Sequence, residues 1–305
     1  AVDPTGGTVP ATANTAANGA AAFSYGLGSL YAEDTWRISP TVSLLFGLRY
    51  DRFFMDDVPV NNPNFAVRNG FSNQQNLDGR GILLPRIYAT WRPTDRFDAS
   101  IGFGRFSNQG LNVWISNPFA NDGQRVTNAV CPAVLPVIPN LQSVPAGCTF
   151  TPGNGNTNVL DPDLRIANVW KTTLTLGYNA DLGWFGDNWR FQLDLIRQDN
   201  RDSLLWVDLR AVVAGTAPDG RPVYRRSTGA GIGGNYDLML TNVDNGGYSN
   251  SGAISVSHRW SDGLLDGLTF NGSYTYTHSE DVNPMTSSIA DSSYTRFAST
   301  NPNNP

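Results

Sequence analysis

The side chains best equipped for chemistry in this 305-residue chain are few and scattered: two histidines, His258 and His278, and two cysteines, Cys131 and Cys148. The cysteines share one long loop with Pro132, Pro136, Pro139 and Pro145. A disulfide between them is the simple expectation; closing a loop of that size is worth roughly 3 kcal/mol in the chain-entropy model and needs an oxidising compartment. Two thiolates with no histidine nearby in sequence do not complete a zinc shell, so no metal site is expected. Neither histidine has a nucleophile set beside it by a motif, and no catalytic residue is predicted. The carboxylates of Asp56-Asp57 and Asp161-Pro162-Asp163 lack EF-hand spacing and read as solvated turns. The glycine-rich run Gly229 to Gly234 is followed by neither a helix nor the Lys-Ser/Thr of a phosphate loop, and no cofactor is implied.

What remains is arginine. Lys171 is the only lysine, and Arg49, Arg86 and Arg190 recur inside segments where apolar and polar residues alternate. The elements that must position them are β-strands, because a period of two puts successive side chains on opposite faces. Val42, Leu44, Phe46, Leu48 and Tyr50 oppose Ser43, Gly47, Arg49 and Asp51, with Leu45 the one misfit. Trp170, Thr172, Leu174, Leu176 and Tyr178 oppose Lys171, Thr173, Thr175, Gly177 and Asn179; Trp189, Phe191, Leu193 and Leu195 oppose Arg190, Gln192 and Asp194. Leu268, Phe270, Gly272, Tyr274 and Tyr276 oppose Thr269, Asn271, Ser273, Thr275 and Thr277.

Burying the arginine face dry costs several kcal/mol per charge, so that face must be wet. The apolar face carries Trp, Tyr or Phe near its ends, the pattern of rings at the headgroup level around a hydrocarbon-facing middle. Such strands come in four hairpins: Phe23 to Met55, Gly81 to Phe106, Asn168 to Asp208, and Gly234 to Glu280. Each hairpin has a short turn, and long Gly/Asn/Pro-rich loops separate the hairpins. The predicted fold is all-β: part of an antiparallel transmembrane β-barrel of about eight long strands, with short periplasmic turns and long extracellular loops, in a bacterial outer membrane.

Composition agrees. Charged residues are 15% and aromatics 11%, the net charge is −5, and no run of about 18 apolar residues could span a membrane as a helix. No basic cluster is longer than Arg225-Arg226, so no nucleic-acid partner is expected. Ala1 to Ala22 has neither the charged start nor the apolar segment of a signal peptide. The chain ends in loop-like Asn301-Pro302-Asn303-Asn304-Pro305. Both ends suggest a piece of a longer protein, with residues 1–22 a partial extracellular loop, 23–281 the barrel segment and 282–305 a truncated extracellular loop.

Tyr31-Ala32-Glu33-Asp34-Thr35-Trp36-Arg37, followed by Leu44-Leu45-Phe46-Gly47-Leu48-Arg49-Tyr50-Asp51, resembles a hairpin of TonB-dependent outer-membrane receptors. Leu84-Pro85-Arg86-Ile87-Tyr88-Ala89 with Gly102-Phe103-Gly104-Arg105-Phe106 is similar to the next hairpin of that family. Ser273 to Asn283, Ser287 to Ala290 and the final Asn-Pro run look most like the Oar-like branch, whose members carry a carboxypeptidase-regulatory-like domain before the plug. The resemblance implies a barrel of about 22 strands closed by an N-terminal plug, importing a scarce ligand with energy relayed by the TonB complex. Its partners would be outer-membrane lipid, the TonB complex through a region outside this chain, and an unknown ligand.

Ligand would be met at the extracellular end, with Arg105, Phe106, Trp114 and Phe119 as contacts at the outer mouth and Arg49, Arg86 and Arg190 lining the lumen. For each there is a plainer role. Lumen arginines can pair with neighbouring carboxylates, and Trp114 can pack its own loop. The alternatives in other classes are a passive or structural barrel, such as an adhesin, and a secreted carbohydrate-active β-protein. The last of these would turn its apolar residues inward to a dry core.

Overall fold

The computed structural model describes residues 21–107, 112–124, 155–226, 236–261, 263–283, 285–295 and 301. Cys131 and Cys148 lie outside the described residues, as do Gly229 to Gly234. Eight long strands form one antiparallel meander: β1 (Gly26–Ser39), β2 (Val42–Phe54), β3 (Gly81–Thr94), β4 (Phe97–Ser107), β6 (Asn168–Ala180), β7 (Trp189–Asp208), β10 (Asp237–Arg259) and β11 (Thr269–Asp281). Among the described residues β1 pairs only with β2 and β11 only with β10, so the sheet is open at both edges. The four expected hairpins are present, with short connections at residues 40–41, 95–96, 181–188 and 260–268.

Register carries the alternation across the sheet. Leu48 stands opposite Ala32 and Pro85, Leu174 opposite Ile101 and Leu195, and Ile254 opposite Leu193 and Tyr274. These residues share the outward face, where Leu30, Trp36, Ile101, Ile254 and Tyr274 remain exposed, as a hydrocarbon-facing surface must be. At the short-turn end this face is ringed by Trp36, Trp91, Phe97, Trp189 and Phe270, and Trp91 meets Phe97 edge to face at 5.8 Å. Among the described residues no helix is long and apolar enough to cross a membrane. The strands alone cross it.

The buried core lies elsewhere, above the long-loop end of the sheet. β7 and β10 run 20 and 23 residues, roughly twice what a tilted membrane strand needs. Their upper halves pair beyond a bulge between Asn245 and Tyr248. There Leu204, Trp206, Leu238 and Leu240 pack with Phe53, Met55, Leu77, Ile115, Phe119, Leu160 and Leu164. The loops expected to be irregular therefore carry structure of their own.

The first contains helix α1 (Pro63–Asn69), set by local chemistry. Asn62 caps it by accepting from the Phe65 N–H, Pro63 opens the first turn, and Gly70 closes it at φ 80°. The Ser107-to-Arg165 loop contains α2 (Asn112–Ala120) and β5 (Thr157–Leu160), which pairs parallel with Asp237–Leu240 at the start of β10. The loop after Asp208 contains the hairpin β8 (Ala211–Thr216) and β9 (Pro222–Arg226), and α3 (Ala290–Thr295) follows β11.

Candidate functional site

The inner face of the sheet is where register gathers the polar residues. Ser29, Tyr31 and Glu33 of β1 stand opposite Asp51, Arg49 and Gly47 of β2, and the last two stand opposite Leu84 and Arg86 of β3. The face continues through Gly102, Gly104 and Phe106 to Lys171, Thr173 and Thr175, then to Arg190, Gln192 and Asp194. Two glycines leave room here for an arginine side chain to cross them. A Cβ at Gly177 would lie 1.9 Å from Nη2 of Arg190, and one at Gly47 would lie 2.6 Å from Nε of Arg86. Each arginine thus lies flat across the neighbouring strand.

That posture lets each arginine reach a carboxylate. Arg190 binds both oxygens of Asp98, with Nη2 donating to Oδ2 at 3.0 Å. Arg86 pairs with Glu33 across two strands. Arg49 donates through Nε to Asp51 at 2.7 Å and through Nη2 to Ser29 at 3.1 Å. Asp194 accepts from Thr175 and Gln192, each at 2.7 Å. Lys171 has no carboxylate partner among the described residues. The result is a ladder of pairs rising from the short turns toward the loops, part-exposed except for the buried Asp51, that carries both signs and presents donors and acceptors in turn.

Near the top of the ladder Tyr31, Arg49, Asp51, Leu84, Arg86 and Phe106 line an open hollow of about 480 Å³. Of the seven candidate contacts, Arg49, Arg86, Arg105 and Phe106 border it. Arg190 lies lower on the inner face, opposite Asn179, and Trp114 and Phe119 lie in the loop cap. Arg105 stands opposite Trp170 on the outward face, its guanidinium 6.0 Å from that ring and its Nε donating to Asn168 at 2.8 Å. Trp114 is part-buried on the core and donates to the Ser287 carbonyl at 3.0 Å, tying α2 to the segment after β11. Phe119 is 6% exposed and stacks on Phe23 at 4.8 Å. Strand parity decides Arg105, and its alternation with Phe103 was legible in the sequence. Asp51, Asp98 and Glu33 complete the ladder. The signal for Glu33 was also available, since hairpin register sets it in line with Arg86 across Gly47.

The loop cap is held by ionic and polar clamps. Asp237 accepts from Arg68 Nε at 3.0 Å, Asn69 Nδ2 at 3.1 Å and Arg210 Nη2 at 2.7 Å. Burial alone would push its carboxyl up, but the bonds from Arg210 and Arg68 outweigh that and hold it below the ordinary carboxylate range. Arg80 gathers four carbonyls, from Asn76 and Pro162 at 3.1 Å, Asp161 at 3.1 Å, and Leu164. Among the described residues no group of His, Cys, Asp and Glu is arranged to hold a metal ion.

An open antiparallel meander with an aromatic-ringed apolar outer face, a wet arginine-studded inner face and a packed cap of long loops is the wall of a large outer-membrane β-barrel. The family model described as "TonB dependent receptor-like, beta-barrel" matches residues 1–304, and the chain belongs to that family. The chain is also similar to parts of several solved structures. The siderophore receptor PirA from Pseudomonas aeruginosa matches at 15% identity and a TM-score of 0.46, over 84% of this chain and 35% of that one. The outer membrane transporter YddB from Escherichia coli matches at 14% identity and 0.44, over 84% and 25%. The copper transporter OprC matches at 15% and 0.42, over 84% and 30%. The chain spans about a quarter to a third of the length of these receptors. No curated protein matches it.

Proposed function

We propose that this chain forms part of the wall and outer mouth of a receptor that takes a ligand at its extracellular loops and passes it inward, without chemical change, through a plugged lumen energised by TonB. The observation that carries the reading is the inner-face ladder. A barrel wall lined by paired, half-hydrated ions suits a plug or a polar ligand sliding past, whereas a dry enzyme core or a purely structural sheet has no use for it. The long-loop end, with its own buried core, is the extracellular end on this reading, and the hollow beside Arg49, Arg86 and Phe106 lies just below the mouth. Membership of the Oar-like branch, and with it a surface or motility role, is supported by the sequence from Ser273 to Asn283, Ser287 to Ala290 and the final Asn-Pro run.

The test is uptake. The gene for the full-length receptor is disrupted, and small molecules consumed from the medium are compared between wild-type and mutant cells, each with and without functional TonB. A compound taken up only when both are present establishes energised import. Uptake that ignores TonB makes the barrel a passive pore, and no difference in uptake together with a loss of surface attachment makes it structural; either result overturns the proposal.

A further inference from the structure

We infer that the outward face of this wall binds phosphate-bearing lipids of the outer leaflet, with acyl chains lying in two apolar grooves and the headgroup phosphates meeting Arg105 and Arg197. The first observation is a common height. On β2 the outward residues run Val42, Leu44, Phe46, Leu48 and Tyr50 and then reach Arg52. On β4 they run Phe97, Ala99, Ile101 and Phe103 and then reach Arg105. On β7 they run Trp189, Phe191, Leu193 and Leu195 and then reach Arg197. Each arginine stands eight to ten residues above the short-turn end of its strand. At about 3.3 Å per residue and a tilt of about 40°, that is a height of roughly 20–25 Å, where the apolar band of an outer-membrane barrel gives way to headgroups.

The second observation is that each of these arginines lies over an aromatic ring of the same face: Arg52 over Phe54 at 5.5 Å, Arg105 over Trp170 at 6.0 Å and Arg197 over Tyr248 at 4.4 Å. Stacking fixes a guanidinium in the plane of the wall and leaves its edge donors turned to the surroundings. Carboxylates compete for some of those donors. Arg197 also binds Asp199 and Asn250, and Arg105 reaches Asn168 and, at 3.7 Å, Asp202. Asp202 is shared with Arg165, and Arg52 has no carboxylate partner among the described residues. Five donor groups on each guanidinium exceed those partners.

The third observation is what lies beneath. One groove, about 540 Å³, runs between Phe46, Leu48, Pro85, Ile87, Phe103 and Trp170, the ring on which Arg105 stacks, with Asp34 also at its wall. Another, about 330 Å³, lies between Leu174, Leu195, Gly252 and Tyr276 with Arg197 at its rim. An apolar slot ending in a cation at the headgroup level matches an anionic lipid, chain down and phosphate up. A soluble anion would have no use for the slot.

The inference depends on the extracellular assignment of the long loops but not on import, so the two can fail separately. The experiment is native mass spectrometry of the full-length receptor released from mixed micelles of dioleoyl phosphatidylglycerol and dioleoyl phosphatidylcholine. Wild type should retain the anionic lipid in preference. Arg105→Gln and Arg197→Gln should each lower that preference roughly fivefold, the worth of one arginine near an anionic surface. Gly252→Phe, which fills a groove on the lipid side without touching a charge, should lower retention of both lipids at the Arg197 site. Equal retention of both lipids by wild type, a preference unchanged in the arginine variants, or displacement of the lipid by inorganic phosphate at equal concentration would each overturn the inference.

Discussion

Arg210 and Asp237 form an ion pair, Nη2 to Oδ1 at 2.7 Å, in which both side chains are almost wholly removed from solvent. Arg68 completes the cluster from α1, so one carboxylate joins three segments of the loop cap: the helix after β2, the chain leaving β7 and the start of β10. Two guanidiniums depend on one buried anion. Replacing Asp237 by Asn takes that anion from both, and breaking a buried pair from one side costs about 3–5 kcal/mol. Hydrogen exchange on the full receptor should show residues 62–73 and 205–212 losing protection in D237N, while the membrane-spanning parts of β2, β4 and β6 stay as they were. Unchanged exchange in the cap would remove this cluster from the account of its stability.

The same carboxylate predicts an acid dependence. Its folded pKa is lowered, so the unfolded chain binds the proton more readily, and the contribution is fully present above the unfolded value of about 3.9. It is lost as pH falls from there through the lower folded value. The difference in thermal unfolding midpoint between wild type and D237N should therefore be constant from pH 8 to about 5 and narrow below about 4. A gap that closes already at neutral pH would mean some other group is titrating.

The hairpins were legible because one physical constraint writes both the strand pattern and its boundaries: lipid on one side and water on the other force a period of two, and a turn resets it. Ser43 to Asp51 on one face and Val42 to Tyr50 on the other needed no fold knowledge. The cap was not legible for the opposite reason. Phe53, Leu204, Trp206, Leu238 and Leu240 continue the strands past the membrane, so their alternation reads as more barrel, although they face each other across a dry core. Helix α1 is seven residues long, too short for a 3.6-residue period to declare itself; only Asn62-Pro63 and Gly70 marked its ends. Of the proposed contacts, Arg49 and Arg86 were placed by parity alone. The same parity applied to Arg105 sends it outward, which its nearness to Phe106 had obscured.

The outward face makes a prediction about the chain by itself. Leu30, Trp36, Ile101, Ile254 and Tyr274 are all more than half exposed on one continuous surface, far beyond the few hundred Å² that a soluble monomer tolerates. Both sheet edges are also open to strand pairing. Expressed alone and refolded in water, the chain should sediment as large aggregates, and in detergent it should remain dispersed. A monodisperse monomer in buffer without detergent would contradict the assignment of this face to lipid.

Glycine at 177 is a condition of the ladder. A methyl group there would stand 1.9 Å from the Arg190 guanidinium and displace it from Asp98. The guanidinium is the free end of a flexible side chain and can swing aside, so the cost is that of the part-exposed ion pair it gives up, about 0–1 kcal/mol. Shortening Arg190 to Ala removes the obstacle. G177A should therefore lower thermal stability in the wild-type background and have almost no effect in R190A, a coupling that a double-mutant cycle reads directly. Additive effects would show that the methyl group does not disturb the pair.

Arg80 makes the most specific claim about the cap, since it acts through geometry more than charge. Its guanidinium binds carbonyls of Asn76, Asp161, Pro162 and Leu164, joining the loop before β3 to the segment that connects β5 to β6. Burial lowers its pKa, with Asp161 and Asp163 opposing, and an arginine guanidinium keeps its charge in proteins. Each charge-assisted bond to a carbonyl is worth about 1.5–3 kcal/mol when its partner would otherwise be left unpaired. Arg80→Ala abandons all four carbonyls. Arg80→Lys keeps the charge but cannot spread three rotating donors over the fan that a planar fork covers. Protease applied to intact cells carrying the full receptor should cut within residues 155–167 fastest in R80A, at an intermediate rate in R80K and slowest in wild type. Equal rates in all three would show that the segment is held by the apolar packing of Leu160 and Leu164 alone, and that the carbonyl contacts add nothing to it.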